Sequence, residues 1–385
     1  MKLYNSLTQK KENFEPLNKS EVKIYVCGIT PYDTTHLGHA FTYVFFDSLI
    51  RYLRFRGNKV NYVQNVTDID DDVLKRAKEE KRDWQELGNY WTEKFLADMK
   101  NLNVMMPTHY VKATDSIATI VKIVALLLEQ KYAYEKNGNV YFEVNKFKDY
   151  GNLSHFTRKQ MIVISKERGG DPSDTNKKDP LDFILWYKSK PGEPSWKSPW
   201  APPAGGGRPG WHIECSAMNY DYLGQQIDIH GGGRDLIFPH HESEIAQSES
   251  YSGKKPFSKF FMHTAMVMYQ GEKMSKSLGN LVMVSDLLKK YSSNEIRWVL
   301  LSHHYRTPWE FNEEELIIAR KSLSFIKRTS SNKSSSKETF MSTFTEFIDD
   351  DFNSPKALDW LVQNVEKINK NDLNSAFDIL GFTLQ

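Results

Sequence analysis

EVKIYVCGIT (21–30), PYDTTHLGH (31–39), AFTYVFFDSLIRYLRFRG (40–57) and KVNYVQNVTD (59–68) follow one another near the start of the chain. The first stretch is apolar and rich in β-branched residues as far as Gly28, the reading of a buried strand. The second has the turn formers of a loop. In the third, Phe41, Phe45, Leu49 and Leu53 recur at helical spacing and Gly57 supplies a stop. The fourth is a second strand. Strand, helix and strand in so short a span form a βαβ unit, which makes the sheet parallel. The predicted fold is α/β: a Rossmann-type, doubly wound parallel sheet.

Working outward, residues 1–110 read as the first half of this domain, with a charged helical pattern from about Asp71 to Tyr110. Residues 111–204 hold further helix, the strand-like GNVYFEV (138–144) and the Pro/Trp-rich KPGEPSWKSPWAPP (190–203). That last run cannot form a long regular element, so the region is expected to be an insertion between the halves of the sheet. The second half resumes over 205–265, where GWHIECSAM (210–218) and QIDIHGGGRD (226–235) both read as strand-to-loop. Residues 266–326 carry GEKMSKSLGN (271–280) and then mostly helix. The polar KRTSSNKSSSKE (327–338) reads as a mobile linker into a small helical segment that ends at 385.

Composition narrows the class. The chain has 385 residues, 39% hydrophobic and 26% charged, with a net charge of +2. So mild a balance neither demands nor forbids a nucleic-acid partner, and any RNA contact must come from local patches such as Lys327, Arg328, Lys333 and Lys337. MKLYNSLTQKKENF (1–14) lacks the apolar core of a secretory signal. IATIVKIVALLLEQ (117–130), the most apolar stretch, is broken by Lys122 and too short to span a bilayer. A cytoplasmic protein, no membrane partner and a monomer are expected. A disulfide between the two cysteines, Cys27 and Cys215, is disfavoured in that compartment.

Three groups of residues carry chemistry. His36-Leu37-Gly38-His39 sits between a strand and a helix, where free N–H groups and the positive helix end favour phosphate. Both imidazoles can donate to a polyphosphate, and Gly38 lets a nucleotide approach the backbone. A capping or metal-binding pair is the alternative. The second group is Lys273-Met274-Ser275-Lys276-Ser277, which alone could be a solvated loop. HLGH with KMSKS far downstream is, however, the signature of class I aminoacyl-tRNA synthetases. Attack of a carboxylate on the α-phosphate of ATP builds negative charge, and imidazoles and lysines can neutralise it in the transition state. Neither GxxxxGK[ST] nor GxGxxG occurs. The third group is Cys27, Cys215, His240 and Glu244, the last two four residues apart and so on one helix face. Two thiolates, an imidazole and a carboxylate suit zinc, although the spacing is not that of a zinc finger. His241 competes with His240 for the imidazole place, and two small buried hydrophobes remain the plain reading of the cysteines.

With these residues in hand, the chain resembles the cysteinyl-tRNA synthetases and their paralogue, the mycothiol-pathway cysteine ligase. The likeness runs from about Leu3 to Leu361. It includes KIYVCGITPYD (23–33), THLGHA (35–40), YVQNVTDIDDDVLKRA (62–77), PLDFILW (180–186), GRPGWHIECSAM (207–218), DIHGGGRDLIFPHHESEIAQSES (228–250), GEKMSKSLGN and DDDFNSPKAL (349–358). It implies activation of L-cysteine with ATP and Mg²⁺. It also implies one zinc per chain at Cys27, Cys215, His240 and Glu244, so that His240 is preferred to His241, with the substrate thiolate on that zinc. Catalysis falls to His36, His39, Lys273 and Lys276. ATP contacts fall to Thr30, Gly38, Gly232 and Asp235 besides those four, and cysteine contacts to Gly28, Trp211, His230 and Asp235. The helices after KMSKS would contact the tRNA stem.

Two acceptors for the activated cysteine compete. One is the 3′ end of tRNA(Cys), the other the amine of glucosaminyl-inositol. Only some thirty residues follow Asp351, so no full anticodon-binding domain is expected, as in the aminosugar ligase. RGGDP (168–172) also leans that way, whereas HHESEIAQ (240–247) and the composition favour tRNA, the acceptor preferred here. A catalytically silent binding paralogue is a third reading, opposed by the intact HLGH, KMSKS and four candidate ligands.

Overall fold

The computed structural model describes residues 1–33, 35–200, 206–274, 278–329 and 339–383. The chain opens with an antiparallel hairpin, β1 (Lys2–Asn5) and β2 (Lys10–Asn13). Next comes the expected βαβ unit: β3 (Val22–Ile29), α1 (Leu37–Phe55) and β4 (Val60–Val66). Phe41, Phe45, Leu49 and Leu53 all lie on the buried side of α1, and Gly57 turns the chain at φ 84°. Helices α2 (Asp71–Glu80) and α3 (Trp84–Asn101) start on the side-chain caps of Asp70 and Asp83 and lead to a short strand, β5 (His109–Lys112).

A second layer follows: α4 (Ile117–Glu129), β6 (Ala133–Lys136), β7 (Asn139–Phe142), α5 (Arg158–Glu167), β8 (Phe183–Lys188) and β9 (Gly207–Pro209). Its four strands form an antiparallel sheet in the order β6-β7-β8-β9. The chain then returns through α6 (Trp211–Leu223), β10 (Ile227–Gly233), α7 (Glu242–Ser252) and β11 (Ser258–Thr264). The main sheet is parallel throughout, in the order β11-β10-β3-β4-β5. Strand order reverses between β3 and β10, so their carboxyl ends frame the crevice where such a sheet takes its ligand.

Contrary to the sequence expectation, the segment 211–218 is helical, not strand-to-loop. Its period is masked because α6 is buried nearly all round: Glu214, Cys215, Ser216 and Asn219 are as enclosed as Ile213 and Met218. Burial of polar side chains removes the polar face on which helical periodicity depends.

Beyond the sheet come β12 (Val267–Tyr269), β13 (Glu272–Lys273), α8 (Val284–Leu287), α9 (Ser293–Leu301), β14 (Trp309–Glu310) and α10 (Glu314–Thr329). Lys327 and Arg328 are thus the last turn of a helix; Lys333 and Lys337 lie outside the described residues. Helices α11 (Thr339–Asp349), α12 (Ser354–Asn364) and α13 (Lys370–Leu380) share one apolar core with α1 and α9, through Phe344, Leu361, Phe377 and Leu380. Arg297, fully buried, pins this junction. Its guanidinium bonds Asp47 of α1 at 2.6 Å and the carbonyls of Leu102 and Leu380 at 3.0 and 2.7 Å. A second core on the other face of the sheet joins α4, α6 and the antiparallel layer. Among the described residues no helix is long and apolar enough to cross a membrane.

Candidate active site

A cleft of about 630 Å³ opens at the carboxyl ends of β3 and β10. One wall is the start of α1. His36 caps the helix in an extended conformation, and its Nδ1 accepts the Gly38 N–H at 3.1 Å. The His36 and His39 rings stack with centroids 3.8 Å apart. A Cβ on Gly38 would lie 2.9 Å from His36 Cε1, so this glycine is needed first by the cap imidazole itself. Leu37 N–H donates to Val282 O at 2.8 Å, and Val284 N–H to Thr35 O at 3.0 Å. The chain just after KMSKS is therefore stitched to HLGH by backbone bonds.

The opposite lip is the β12–β13 hairpin. Lys273 ends β13 and faces the cleft, Met274 beside it is buried, and the Asn280 amide ties the carbonyls of Tyr269 and Lys273 at 3.1 and 3.3 Å. Lys276, with Ser275 and Ser277, lies outside the described residues.

The floor holds the sulfur and imidazole groups. Cys27 ends the core of β3, Cys215 comes from α6, His240 precedes α7 and Glu244 stands in its first turn. Their ligand atoms all lie within 4.8 Å of one another. Three groups converge on Glu244 Oε1: Cys27 Sγ at 3.6 Å, His230 Nε2 at 3.3 Å and His240 Nε2 at 3.2 Å. Glu244 Oε2 is buried without a hydrogen-bond partner among the described residues. A second set, Cys27, His230, His241 and Glu244, is equally tight. His241 Nε2 sits 3.2 Å from Cys27 Sγ, while its Nδ1 meets His263 Nε2 at 2.8 Å. Burial drives the pKa values of His240 and His241 well below the ordinary value, keeping both neutral, and pushes the Cys27 thiol up. His212, whose Nδ1 meets His240 Nδ1 at 2.9 Å, is lowered by burial to about 3. The Trp211 indole stacks on His240 at 4.2 Å.

Gly28 admits no side chain, since a Cβ there would fall 1.6 Å from Asn65 O, and its N–H donates to Asn65 Oδ1 at 2.8 Å. Of the residues singled out from sequence, Cys27, Gly28, Thr30, His36, Gly38, His39, Trp211, Cys215, Asp235, His240 and Lys273 line the cleft. Glu244, His230 and Gly232 stand behind its wall, Gly232 packed against Leu236 and His241. The cleft also draws on residues not assigned from sequence: Tyr32, Asp33, Asn65, Thr67, Asp72 and Arg168. Burial, with the Asp72 and Asp70 carboxylates next in weight, pushes Tyr32 up to about 12. Arg168, from the end of α5, had as its sequence signal the Gly-Gly pair behind it.

Comparison with known proteins agrees with this geometry. The family model of the class I (C) tRNA synthetase catalytic domain matches residues 13–321. A cysteine–tRNA ligase of Dehalococcoides mccartyi is 46% identical over 366 residues, 93% of this chain and 78% of the relative. Those of Thermococcus onnurineus and Legionella pneumophila are each 45% identical, over 96% and 99% of this chain and 80% and 84% of their own. In architecture, the chain is similar to a Mycobacterium tuberculosis methionyl-tRNA synthetase solved with methionyl-adenylate. The TM-score is 0.66 at 14% identity, covering 94% of this chain and 88% of that one, a likeness of fold. The chain belongs to the cysteine–tRNA ligase family of class I tRNA synthetases.

Proposed function

We propose that this chain activates L-cysteine with ATP and transfers the cysteinyl group to the 3′ end of tRNA(Cys). The observation that carries the reading is one cleft faced at once by polyphosphate donors and by a soft metal-ligand set. In the first step a cysteine carboxylate oxygen attacks the α-phosphorus and pyrophosphate departs; Mg²⁺, when bound with the ATP, would offset part of the phosphate charge. His36, His39 and Lys273 offer positive or N–H donor groups where that charge grows, and Lys276, outside the described residues, is assigned the same role. In the second step a terminal ribose hydroxyl of the tRNA attacks the carbonyl and AMP leaves. Thr30, Gly38, Gly232 and Asp235 are assigned to the nucleotide. Gly28, Trp211, His230 and Asp235 are assigned to the cysteine.

Cys27, Cys215, His240 and Glu244 are assigned to zinc. The donor set fits: two thiols, a neutral imidazole, and a buried carboxylate with an oxygen left without a partner. His240 is preferred to His241 on position. Cys27, Cys215 and His240 open onto the cleft, whereas neither His230 nor His241 does, and a site that also takes a substrate atom needs an open face. An Nδ1–H of His240 donated to neutral His212 leaves Nε2 free to ligate. Bound there, zinc supplies a soft Lewis acid that prefers a thiolate to a hydroxyl.

Cysteine-dependent ATP–pyrophosphate exchange, followed by transfer of labelled cysteine to total tRNA and to glucosaminyl-inositol, tests the reading. Exchange with charging of tRNA is expected. Exchange with transfer to the aminosugar alone would reassign the acceptor, and no exchange would overturn the activity.

A further inference from the structure

Arg168 is a cation that the antiparallel layer sends into the cleft. It caps the C-terminus of α5, and the next two residues fix where its side chain leaves the backbone. Gly169 has φ 82°. Gly170 donates its N–H to Ser165 O at 2.8 Å, and a Cβ on it would fall 2.3 Å from Ser165 Oγ. Neither position accepts another residue without strain. From that anchor Arg168 Nη1 reaches the main-chain carbonyl of Asp235, and its Oδ2 at 3.7 Å. The pair is partly open, with side chains 29% and 37% exposed.

Asp235 stands just past the carboxyl end of β10, beside the point where strand order reverses. Gly231–Gly233 before it keep the strand end bare: a Cβ on Gly231 would lie 2.2 Å from buried Phe46, and Cβ atoms on Gly232 and Gly233 would press on the Leu236 and Asp235 side chains at 2.9 and 2.6 Å. A side-chain-free strand end followed by a carboxylate that lines the cleft is a place for a ribose, whose vicinal hydroxyls both donate to one carboxylate. The loose contact at 3.7 Å leaves that carboxylate with oxygens able to accept.

We propose that Arg168 is a positioning residue that clasps the inserted layer onto the nucleotide site and aims the Asp235 carboxylate at the ATP ribose hydroxyls. The proposal rests on the ATP-dependent reading above. It deepens that reading by giving the insertion a part in nucleotide selection.

The test is steady-state ATP–pyrophosphate exchange by wild type, Arg168→Ala, Arg168→Lys and Asp235→Asn, with ATP, 2′-deoxy-ATP and 3′-deoxy-ATP. In Arg168→Ala the KM for ATP should rise about 10-fold while the KM for cysteine moves less than about 2-fold, the loss of one charge-assisted contact. The preference of wild type for ATP over the deoxy analogues should shrink to within about 3-fold, because the two changes act on one interaction. Asp235→Asn should lose the same preference, and Arg168→Lys should retain part of it. A layer merely loosened would weaken all three nucleotides alike. Unchanged ribose discrimination in Arg168→Ala would overturn the clasp, whatever Asp235→Asn does, while leaving the activation reading intact. If Arg168→Ala failed to fold, Arg168→Gln, which keeps the length without the charge, is read in the same way. Absence of exchange in wild type would sink the activation reading instead.

Discussion

Arg297→Ala is expected to lower stability by about 3–5 kcal/mol, the range for removing one partner of a buried ion pair. The structure sets the terms. The mutation deletes a fully buried guanidinium that bonds Asp47 Oδ2 at 2.6 Å, Ser48 Oγ at 3.2 Å, Leu102 O at 3.0 Å and Leu380 O at 2.7 and 3.1 Å. Asp47 is not wholly abandoned, since Arg51 Nε at 3.0 Å and the Met105 N–H at 2.9 Å still serve it. The carbonyls are more exposed to loss. Ser48 Oγ at 3.4 Å remains on Leu380, and each unserved buried carbonyl costs about 1–3 kcal/mol. Arg297→Lys keeps the charge but not the fork, so it should cost about half as much. Urea unfolding followed by far-ultraviolet circular dichroism gives the free energies. Exchange activity should fall with the folded fraction, because α1, which begins at HLGH, carries Asp47 and Ser48 on the same cylinder. An Arg297→Ala protein within about 1 kcal/mol of wild type would refute the view that this guanidinium holds α1, α9 and α13 together.

Cys215→Ser should bind zinc far more weakly, seen by elemental analysis after dialysis, and should lose cysteine affinity; full zinc and full affinity would remove Cys215 from the site. Lys273→Ala should slow cysteine-dependent exchange by about 10²-fold with cysteine binding at equilibrium little changed, and wild-type exchange would make the hairpin a surface feature. Gly28→Ala drives a methyl into Asn65 O and should yield little folded protein, whereas a soluble, active variant would contradict the 1.6 Å approach. His263, held at about 3 by burial, stays neutral in the fold but has an ordinary value near 6.5 when unfolded. Its contribution is full above about 6.5 and is lost as pH falls toward 3, by about 1.4 kcal/mol per pH unit. His263→Gln should flatten the acid limb of stability against pH, and an unchanged limb would assign acid loss to other groups.

The parallel core was legible because its periodicities were intact: Phe41, Phe45, Leu49 and Leu53 fell at helical spacing on one face, and β3 was a mostly apolar, β-branched run with β4 a second strand soon after it. Where burial reached all sides the pattern failed, as in α6, whose Glu214 and Asn219 are enclosed with Met218. The strand β5 was hidden for another reason: four residues at a sheet edge carry too short a period to separate from the helix before them. At the site, the motif residues were visible as types and spacings. The second imidazole layer was not, since His212 and His263 matter only through neighbours far off in the chain, His240 at 2.9 Å and His241 at 2.8 Å. Arg168 showed only as the residue before a Gly-Gly pair; its approach to Asp235, 67 residues on, was hidden likewise.

Selection of cysteine over serine explains why this cleft has so uneven a floor. The two amino acids differ by one atom, and shape alone separates such a pair by about 1–3 kcal/mol, while a selection of 10⁴–10⁵ needs roughly 5.5–7 kcal/mol. The wall proposed to face the phosphates cannot supply the difference, since His36, His39 and Lys273 in that role would treat both substrates alike. The difference must come from groups that respond to sulfur as an acid and as a soft donor. Those groups are gathered where β3, α6 and the start of α7 meet. Their burial holds His240 neutral and able to donate a lone pair. Variants of the two walls should therefore separate cleanly: changes at His39 or Lys273 lower the rates for cysteine and serine by one common factor, and changes at Cys215 or His240 alter their ratio. If a Lys273→Ala enzyme shifted the cysteine-to-serine ratio of exchange as far as a His240→Ala enzyme does, the division of labour between the walls would be wrong.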